Sequence, residues 1–290
     1  MVHRSLIKEL MPHFHEKCGH FGGAKTYGSV RERFYWLGMK RDVQDWVESC
    51  EQCISKKNPH TKHVHNLATW KPSHPFWQVS LDIMGPLPPS NGFKYILLIG
   101  DQFTKWYEAI LLPNQEAQTV AKAFVNVWVA RFGCPINLHS DKGSNFMSSL
   151  FRSMCKELGI ERTSTTSYHP QGNAMIERTN RTIEESLAKY VGEHHDRWSE
   201  FLSLVMMAYR SSVHTVTKYS PFYLVFGRPC TLPIDCMYQT PQSKVYPTPS
   251  DYVGSLKDEL QICHQLVRET MNVEHEKKKT DYNRRAFGPQ

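Results

Sequence analysis

Long apolar stretches are missing from this chain of 290 residues. No run reaches about eighteen consecutive apolar residues, the length that a membrane-spanning helix requires. The N-terminal stretch MVHRSLIKELMPHFH also lacks the apolar centre of a secretory signal peptide. These two absences argue against a membrane protein and a secreted protein, so we expect a soluble intracellular protein with no membrane partner.

Disulfide bonds are not expected either, and acidic residues are not in excess. In an intracellular protein, the eight cysteines are expected to be free thiols or metal ligands. The formal net charge is +7 and the isoelectric point is about 8.9. A basic chain of this kind is compatible with a polyanionic partner such as nucleic acid, although many basic proteins bind none.

The residue pattern divides the chain into four segments. Residues 1–56 combine histidines and cysteines with short helical patterns, which predict a small helical domain. Residues 57–69 are polar and are interpreted as a linker. Residues 70–232 alternate strand and helix patterns, and residues 233–290 contain a Pro-rich break followed by an amphipathic helix.

The order of the patterns in residues 70–232 predicts a fold class. Three strand patterns follow one another, FWQVSLDIMG, KYILLIGD and KWYEAILL, and then helix, strand, helix, strand and helix patterns alternate. This order is typical of an α/β layer architecture. We expect a mixed five-stranded sheet with helices on both sides, in which the first and fourth strands are adjacent and parallel.

Four residues of the first segment have the spacing of a structural zinc site. His15 and His20 are separated by four residues, and Cys50 and Cys53 form a CxxC pair. Two imidazoles and two thiolates are a ligand set of closed tetrahedral zinc sites. Because the residues between the two pairs form only a small core, we expect this domain to depend on one zinc ion to fold. His13 is an alternative to His15 as the first ligand.

Three acidic residues are candidates for a second metal site. Asp82 lies in the first strand, Asp141 at the end of the fourth, and Glu177 near the front of the helix after the fifth. If the first and fourth strands are neighbours, the two aspartates meet at one sheet edge and Glu177 can pack across it. Grouped carboxylates repel one another unless cations lie between them, and hard oxygen ligands select Mg²⁺ or Mn²⁺. The alternative is that Glu177 is a solvated surface glutamate.

The three acidic residues lie in or near sequence motifs that resemble those of a known family. Thirty-five residues separate Asp141 from Glu177, and the chain contains RFYWLGM, DIMGPLP, HSDKGSNF and YHPQGN. The combination resembles the zinc-binding N-terminal domain and the D,D-35-E catalytic core of retroviral and retrotransposon integrases, in particular those of gypsy-type LTR retrotransposons. Ala174 departs from the family pattern, which often has a second glycine after Asn173.

The resemblance implies an RNase H-like core with two Mg²⁺ or Mn²⁺ ions, in which Asp82 bridges both ions and Asp141 and Glu177 each complete one. It also implies a nuclear polynucleotidyl transferase and endonuclease that trims the 3′ ends of retroelement DNA and joins them to target DNA, as a dimer or tetramer on DNA. In the family an SH3-like DNA-binding barrel follows the last helix, and because the sequence stops at Gln290 we expect that barrel to be missing. A domesticated or truncated derivative that only binds DNA or protein is the alternative function.

Candidate DNA contacts are polar or basic residues next to the predicted carboxylates, where a phosphate backbone would pass. They are Lys142, Gln171, Asn173, Arg178 and Arg181. Gln171 and Asn173 precede Glu177 in the loop that contacts the DNA end in the resembling integrases. The simpler interpretation of the basic residues is that they only solubilise the protein.

The remaining residues of interest receive simpler interpretations. Asp101 is expected to be a turn residue, and His60, His63 and His65 are expected to be solvated in the linker. An apolar stripe over residues 253–271 predicts a helix face that docks on a partner or folds back on the protein. Five cysteines lack ligand spacing and are expected to act as small hydrophobic residues: Cys134, Cys155, Cys230, Cys236 and Cys263.

Overall fold

The structure is a computed structural model that describes residues 4–55, 72–164, 174–192, 194–238 and 246–287. The chain forms two compact units. The first, which we call the helical unit, comprises Met1–Asn58 and Met207–Glu276. The second, which we call the sheet unit, comprises Pro59–Met206 and Lys277–Gln290. Among the described residues, no helix combines the length and apolar character needed to cross a membrane.

The secondary structure follows the predicted alternation. The strands are β1 (Gln78–Met84), β2 (Tyr95–Asp101), β3 (Tyr107–Leu112), β4 (Asn137–Ser140) and β5 (Glu161–Ser164). The helices are α1 (Arg4–Phe14), α2 (Gly23–Arg31), α3 (Met39–Ser49), α4 (Glu51–Ser55), α5 (Ala117–Ala123), α6 (Ala130–Phe132), α7 (Ser144–Met147), α8 (Ser149–Glu157), α9 (Ala174–Val191), α10 (Trp198–Ser211), α11 (Pro221–Phe226), α12 (Pro233–Met237) and α13 (Pro249–Phe287).

The sheet unit is built on a mixed five-stranded sheet with the order β3-β2-β1-β4-β5. The pairs β1–β2 and β2–β3 are antiparallel, whereas β1–β4 and β4–β5 are parallel. The predicted mixed sheet, with adjacent and parallel first and fourth strands, is therefore confirmed. Its central strands are apolar and buried: Val79, Leu81 and Leu97 have no exposed surface, as expected for strands covered on both faces.

Two helical segments of the sheet unit are interrupted. Before β4, a π-helical turn over Phe124–Val129 joins α5 to α6. Between β4 and β5, the helical segment is divided into α7 and α8. Ser148 separates them because its backbone is extended and its hydroxyl accepts a hydrogen bond from the N–H of Phe151, which caps the start of α8.

The core of the helical unit joins residues that are far apart in the sequence. Leu232 and Ile234, next to and within α12, are buried together with apolar side chains of α1, α2, the α2–α3 loop and α3, namely Leu10, Met11, Phe14, Val30, Trp36, Met39 and Val43. The N-terminal helices therefore share one core with the region after α11. The sequence-based boundaries at residues 56 and 232 stay predictions.

A buried ion pair reinforces this shared core. The Arg33 side chain is 4% exposed and donates to the Asp235 carboxylate at 2.7 Å, and Asp235 is 2% exposed. The guanidinium also donates to the carbonyl oxygens of Cys230 at 2.8 Å and Ser29 at 3.1 Å. The other Asp235 oxygen accepts from the N–H of Leu232 at 2.7 Å. Because each charge is satisfied by several hydrogen bonds, the pair can be buried.

Helix α13 folds back within the helical unit. Cys263 and Val267, from the predicted apolar stripe, are buried, whereas Val253 at its start is 60% exposed. A ring nitrogen of His264 lies 2.8 Å from the carbonyl oxygen of Leu224 on α11. Of the two roles predicted for this stripe, the structure shows the intramolecular one over the middle of the helix.

Removal of the Arg33 charge tests the shared core. In Arg33→Met, Asp235 keeps a buried carboxylate without its cationic partner, and we expect a loss of about 3–5 kcal/mol in the free energy of unfolding. Urea denaturation followed by circular dichroism measures this loss. The matched control is Arg41→Met, which breaks the ion pair with Asp45 in which the two side chains are 88% and 65% exposed; it is expected to change stability very little. Equal losses in both variants would contradict the role given to Arg33.

Candidate metal centres and catalytic site

The four predicted zinc ligands lie together in the helical unit. His15 directly follows the end of α1, His20 has a left-handed backbone with φ 53°, and Cys50 and Cys53 lie at the junction of α3 and α4. One ligand atom from each residue lies within 4.8 Å of all the others. Cys50 caps the end of α3 and Cys53 lies in α4, and their sulfurs lie 3.2 and 3.7 Å from the Nδ1 atom of His20.

The hydrogen bonds of the histidines fit a zinc ion. The Nδ1 atom of His15 lies 3.2 Å from the carbonyl oxygen of Phe21, and its Nε2 atom lies 3.3 Å from the Cys53 sulfur. The Nδ1 atom of His20 lies 3.2 Å from the Cys50 sulfur. A His15 ring that donates from Nδ1 to a carbonyl presents the lone pair of Nε2, which is the arrangement that orients metal-ligating histidines.

The structure also separates the two candidates for the first ligand. His15 is completely buried and belongs to the cluster. His13 is not a member; its carbonyl oxygen accepts from the Cys18 thiol at 2.9 Å. Among the described residues, the cluster of His15, His20, Cys50 and Cys53 is the one group of three or more histidine, cysteine or acidic side chains tight enough to surround a single ion.

The predicted acidic residues come together in the sheet unit. Leu81 on β1 lies opposite Ser140 on β4, so Asp82 and Asp141, the next residues, leave the parallel pair at the same edge. Side chains alternate along a strand, and these two therefore point to the same face of the sheet. Glu177 lies in the first turn of α9.

Packing fixes the helix that carries Glu177. Ile176 and Ile183 have no exposed surface, and their spacing puts them on one side of α9. Glu177 itself is exposed. The apolar side of the helix thus anchors α9, while the neighbouring side presents the carboxylate to the edge where Asp82 lies.

Asn180 contacts Asp82 directly and was not assigned a role from the sequence. Its amide donates to the Asp82 carboxylate, and the other Asp82 oxygen accepts from the N–H of Ile83 at 3.0 Å. The side-chain oxygen of Asn180 is buried and has no hydrogen-bond partner among the described residues. The signal in the sequence was its position three residues after Glu177, on the same helical face.

Electrostatics shows that the three carboxylates interact. Burial is the main cause that raises the pKa of Asp82 to about 6, and the charges of Asp141 and Glu177 raise it as well. The hydrogen bonds from Ile83 and Asn180 act in the opposite direction. The three groups do not form a tight cluster around one point like the zinc ligands. Their oxygen chemistry fits hard divalent cations held between pairs of carboxylates, and the unpaired Asn180 oxygen is a further hard donor beside them.

A glycine shapes the Asp141 loop. The N–H of Gly143 donates to the Asp141 carboxylate at 3.0 Å. A Cβ atom at position 143 would lie 2.7 Å from the side-chain oxygen of Asn145 and 3.0 Å from that of Asp141. Glycine therefore leaves room for the side chains of Asn145 and Asp141 in the positions they adopt here.

The other predicted site residues differ in what the structure shows. Lys142, Arg178 and Arg181 are exposed near the ends of the elements that carry the acidic residues. Gln171 and Asn173 lie outside the described residues, as do the three linker histidines.

Asp101 ends β2, and its carboxylate accepts from the N–H of Thr104 at 2.8 Å, in agreement with the predicted turn. Cys155 and Cys263 are buried as predicted, but Cys134 and Cys236 are exposed because they lie in surface loops or helix ends.

Comparisons with known proteins agree with this arrangement. Residues 2–59 match the family described as integrase zinc binding domain, and residues 72–170 match the family described as integrase core domain. The chain is 30% identical over 266 residues to the Retrovirus-related Pol polyprotein from transposon 412 of Drosophila melanogaster, which covers 91% of this chain and 21% of the polyprotein. It is 31% identical over 228 residues to the Pro-Pol polyprotein of Feline foamy virus, which covers 79% of this chain and 19% of that protein.

Among solved structures, the fold is similar to a chain in the cryoEM structure of the simian T-cell lymphotropic virus intasome in complex with PP2A regulatory subunit B56 gamma. The TM-score is 0.52 at 17% identity, over 80% of this chain and 76% of that chain. Fold and site together are those of an integrase zinc-binding domain followed by an integrase core domain. The chain belongs to the retroviral-type integrase family, and it spans about a fifth of the length of the polyproteins it matches.

Loss of zinc is expected to unfold the helical unit. A chelator, or the double variant Cys50→Ser and Cys53→Ser, should abolish the bound zinc and reduce the helical signal, because ligand convergence and folding are linked. Zinc content and circular dichroism of the full chain measure both effects. The control is Cys134→Ser, an exposed cysteine outside the cluster, which should keep one zinc per chain. Full zinc content in the double variant would contradict the assignment.

The pKa of Asp82 predicts a pH dependence of stability. Its folded value of about 6 lies above the ordinary value of about 3.9, so between these two pH values the folded chain binds more protons than the unfolded chain. Stability contributed by the protonated group is therefore present at about pH 4 and lost as the pH rises through 6. In the zinc-loaded protein without Mg²⁺ or Mn²⁺, the melting temperature of Asp82→Asn should exceed that of the wild type by little at about pH 5.5 and by more at about pH 7.5, because Asp82 of the wild type loses its proton between these pH values while the zinc ligands still hold the metal. Melting curves that stay parallel across this range would contradict it.

Proposed function

We propose that the protein is a DNA integrase that catalyses metal-dependent 3′-end processing and strand transfer. The observation that carries this proposal is the meeting of Asp82 and Asp141 on adjacent parallel strands, with Glu177 close enough to affect the pKa of Asp82. Clustered carboxylates at a sheet edge destabilise the fold, so their presence is best explained by the ligands they hold. The resemblance and the family membership supply the reaction class.

The cofactors in this proposal are two Mg²⁺ or Mn²⁺ ions, which Asp82, Asp141 and Glu177 would hold through their carboxylate oxygens. When bound, such a pair stabilises the attacking and leaving oxygens of an in-line displacement at phosphorus. In end processing, water attacks a phosphodiester phosphorus near the DNA end, and the P–O bond to the 3′ oxygen breaks. In strand transfer, the freed 3′ hydroxyl attacks a target phosphodiester, and the P–O bond to the target 3′ oxygen breaks. The same carboxylates thus serve both reactions.

The residues around the carboxylates position them. The Asn180 amide and the Ile83 N–H fix the two oxygens of Asp82, and Gly143 fixes an oxygen of Asp141. A carboxylate held in this way needs little rearrangement when a ligand binds, which reduces the free-energy cost of binding.

DNA is the proposed partner. Lys142, Arg178 and Arg181 are exposed beside the carboxylates, where phosphate groups must pass, and we propose them as contacts that position the backbone. Gln171 and Asn173 are proposed contacts to the DNA end by resemblance. Because the similar solved chain was determined in an intasome, we further propose assembly of several copies on DNA, in the nucleus.

The alternative is a derivative that keeps the fold and only binds DNA or protein. A binding module gains nothing from three interacting carboxylates next to a surface that contacts DNA, because they repel phosphate. The retained Asp82, Asp141 and Glu177 therefore favour the enzyme.

Neutral variants of the three acidic residues test the enzyme proposal. Asp82→Asn, Asp141→Asn and Glu177→Gln should each reduce oligonucleotide strand transfer by at least about 100-fold, because metal and transition-state stabilisation are lost. Binding to DNA should persist, since phosphate contacts dominate affinity. Mg²⁺ or Mn²⁺ should raise the melting temperature of the wild type and not of the variants.

The matched control for this experiment is Glu184→Gln. Glu184 is an exposed glutamate two turns further along α9, and its neutralisation should leave strand transfer unchanged. If Glu177→Gln joins DNA ends as fast as Glu184→Gln, the helix glutamate is an ordinary surface residue and the proposed site is wrong.

A further inference from the structure

Lys105, between β2 and β3, combines two costly features. Its backbone is left-handed with φ 63°, a conformation that favours glycine and is strained for lysine. Its side chain is also buried, at 5% exposure, although burying an ammonium group is unfavourable unless the group is paired. A glycine at this position would avoid both costs, so the lysine side chain is expected to have a role of its own.

The Lys105 ammonium connects two elements of the sheet unit. It donates to the carbonyl oxygen of Gln102 within its own turn and to the thioether sulfur of Met175 at 2.9 Å. Met175 lies in the first turn of α9, two residues before Glu177. The same residue's carbonyl oxygen accepts from the hydroxyl of Thr179 at 3.2 Å, so the contact reaches the hydrogen-bonded part of the helix.

A buried carboxylate balances the charge of Lys105. Asp101 has no exposed surface and accepts from the N–H and the hydroxyl of Thr104 at 2.8 and 2.6 Å. Burial raises the pKa of Asp101, while the Thr104 hydrogen bonds and the charge of Lys105 lower it. The turn between β2 and β3 thus contains opposite charges close together, which makes the buried ammonium tolerable.

Stabilisation of α9 by its dipole does not explain this contact. The start of a helix carries partial positive charge, and a cation near it is unfavourable. Stabilisation of the turn alone does not explain the contact with Met175 either. The hydrogen bond to Gln102 lies within the turn, whereas the contact with Met175 reaches α9. The geometry is explained if Lys105 holds the first turn of α9 against the sheet.

We propose that Lys105 is a positioning residue that fixes the first turn of α9 and thereby the Glu177 carboxylate at the edge where Asp82 and Asp141 lie. This inference rests on the role proposed for Glu177. Lys105 itself does not contact DNA or the reacting groups in this account; it acts through Met175 and α9.

Three substitutions separate the positioning role from a role in the turn. Lys105→Met keeps much of the side-chain volume and removes the charge, Lys105→Arg keeps the charge, and Lys105→Gly relieves the backbone strain while removing the side chain. Hydrogen–deuterium exchange of the full zinc-loaded chain reports on the first turns of α9 and on the β2–β3 turn separately. Strand transfer and the Mn²⁺ concentration that it requires at half-maximal rate are measured on the same samples.

We expect exchange of the amides at residues 178–180 to be about 10-fold faster in Lys105→Met and Lys105→Gly, since the contact that holds the helix start is lost. The β2–β3 turn should remain protected in Lys105→Gly, because glycine accepts the left-handed backbone. Both variants should require several-fold more Mn²⁺, and Lys105→Arg should restore most of the wild-type behaviour. Lys122→Met, at an exposed lysine of α5 in the same unit, is the control and should change nothing.

The outcomes are distinguishable. Unchanged exchange at the start of α9 in Lys105→Met and Lys105→Gly overturns the inference. Faster exchange with unchanged strand transfer and an unchanged Mn²⁺ requirement also overturns the inference, because the position of Glu177 then does not depend on Lys105. Failure of the role proposed for Glu177 is seen separately, as full strand transfer by Glu177→Gln. If Lys105→Met does not fold, Met175→Leu, which keeps the lysine and removes the sulfur acceptor, must still accelerate exchange at residues 178–180, and failure to do so overturns the inference.

Discussion

The parallel pairing of β1 with β4 is the constraint on which the site depends. Their register puts Asp82 and Asp141 side by side, directly after the last residues that pair β1 with β4, and the packing of α9 brings Glu177 to the same edge. This arrangement is unfavourable by itself, because burial and the neighbouring charges raise the pKa of Asp82 to about 6. The surrounding contacts resist the repulsion: Asn180 and Ile83 hold Asp82, Gly143 holds Asp141, and buried isoleucines anchor α9. Local instability of this kind is typical of binding and catalytic sites.

The stability of the helical unit is limited by the small size of its apolar core. Its N-terminal helices provide a small core, and a core of that size is marginal without additional links. Two links are visible. The His15, His20, Cys50 and Cys53 cluster fits a zinc ion, and the buried pair of Arg33 with Asp235 ties the helices to the region after α11. The zinc-binding domain is therefore stabilised by residues about two hundred positions away in the sequence, and not by its metal alone.

Periodicity and spacing predicted the features that are local in sequence. Strand patterns predicted the number and order of the five strands, and the CxxC and the histidine pair identified residues that the structure brings together. Prediction was weaker where the outcome depends on contacts between distant side chains. Nothing in the pattern around Arg33 points to Asp235, since the pairing is decided by shape and charge in the folded core. The spacing of Asn180 and Glu177 puts both residues on one face of α9, yet only the fold shows that this face meets Asp82. The break at Ser148 and the π-helical turn over Phe124–Val129 also depend on how each segment packs against the sheet.

The most direct test of the central claim is the location of Mn²⁺ by anomalous X-ray scattering in crystals of the zinc-loaded protein. Two manganese peaks are expected, one between Asp82 and Asp141 and one between Asp82 and Glu177, with zinc at the His15 and Cys50 cluster. Peaks that leave Glu177 without a metal, or manganese bound only at other surface carboxylates, would contradict the claim that these three residues form a two-metal catalytic site.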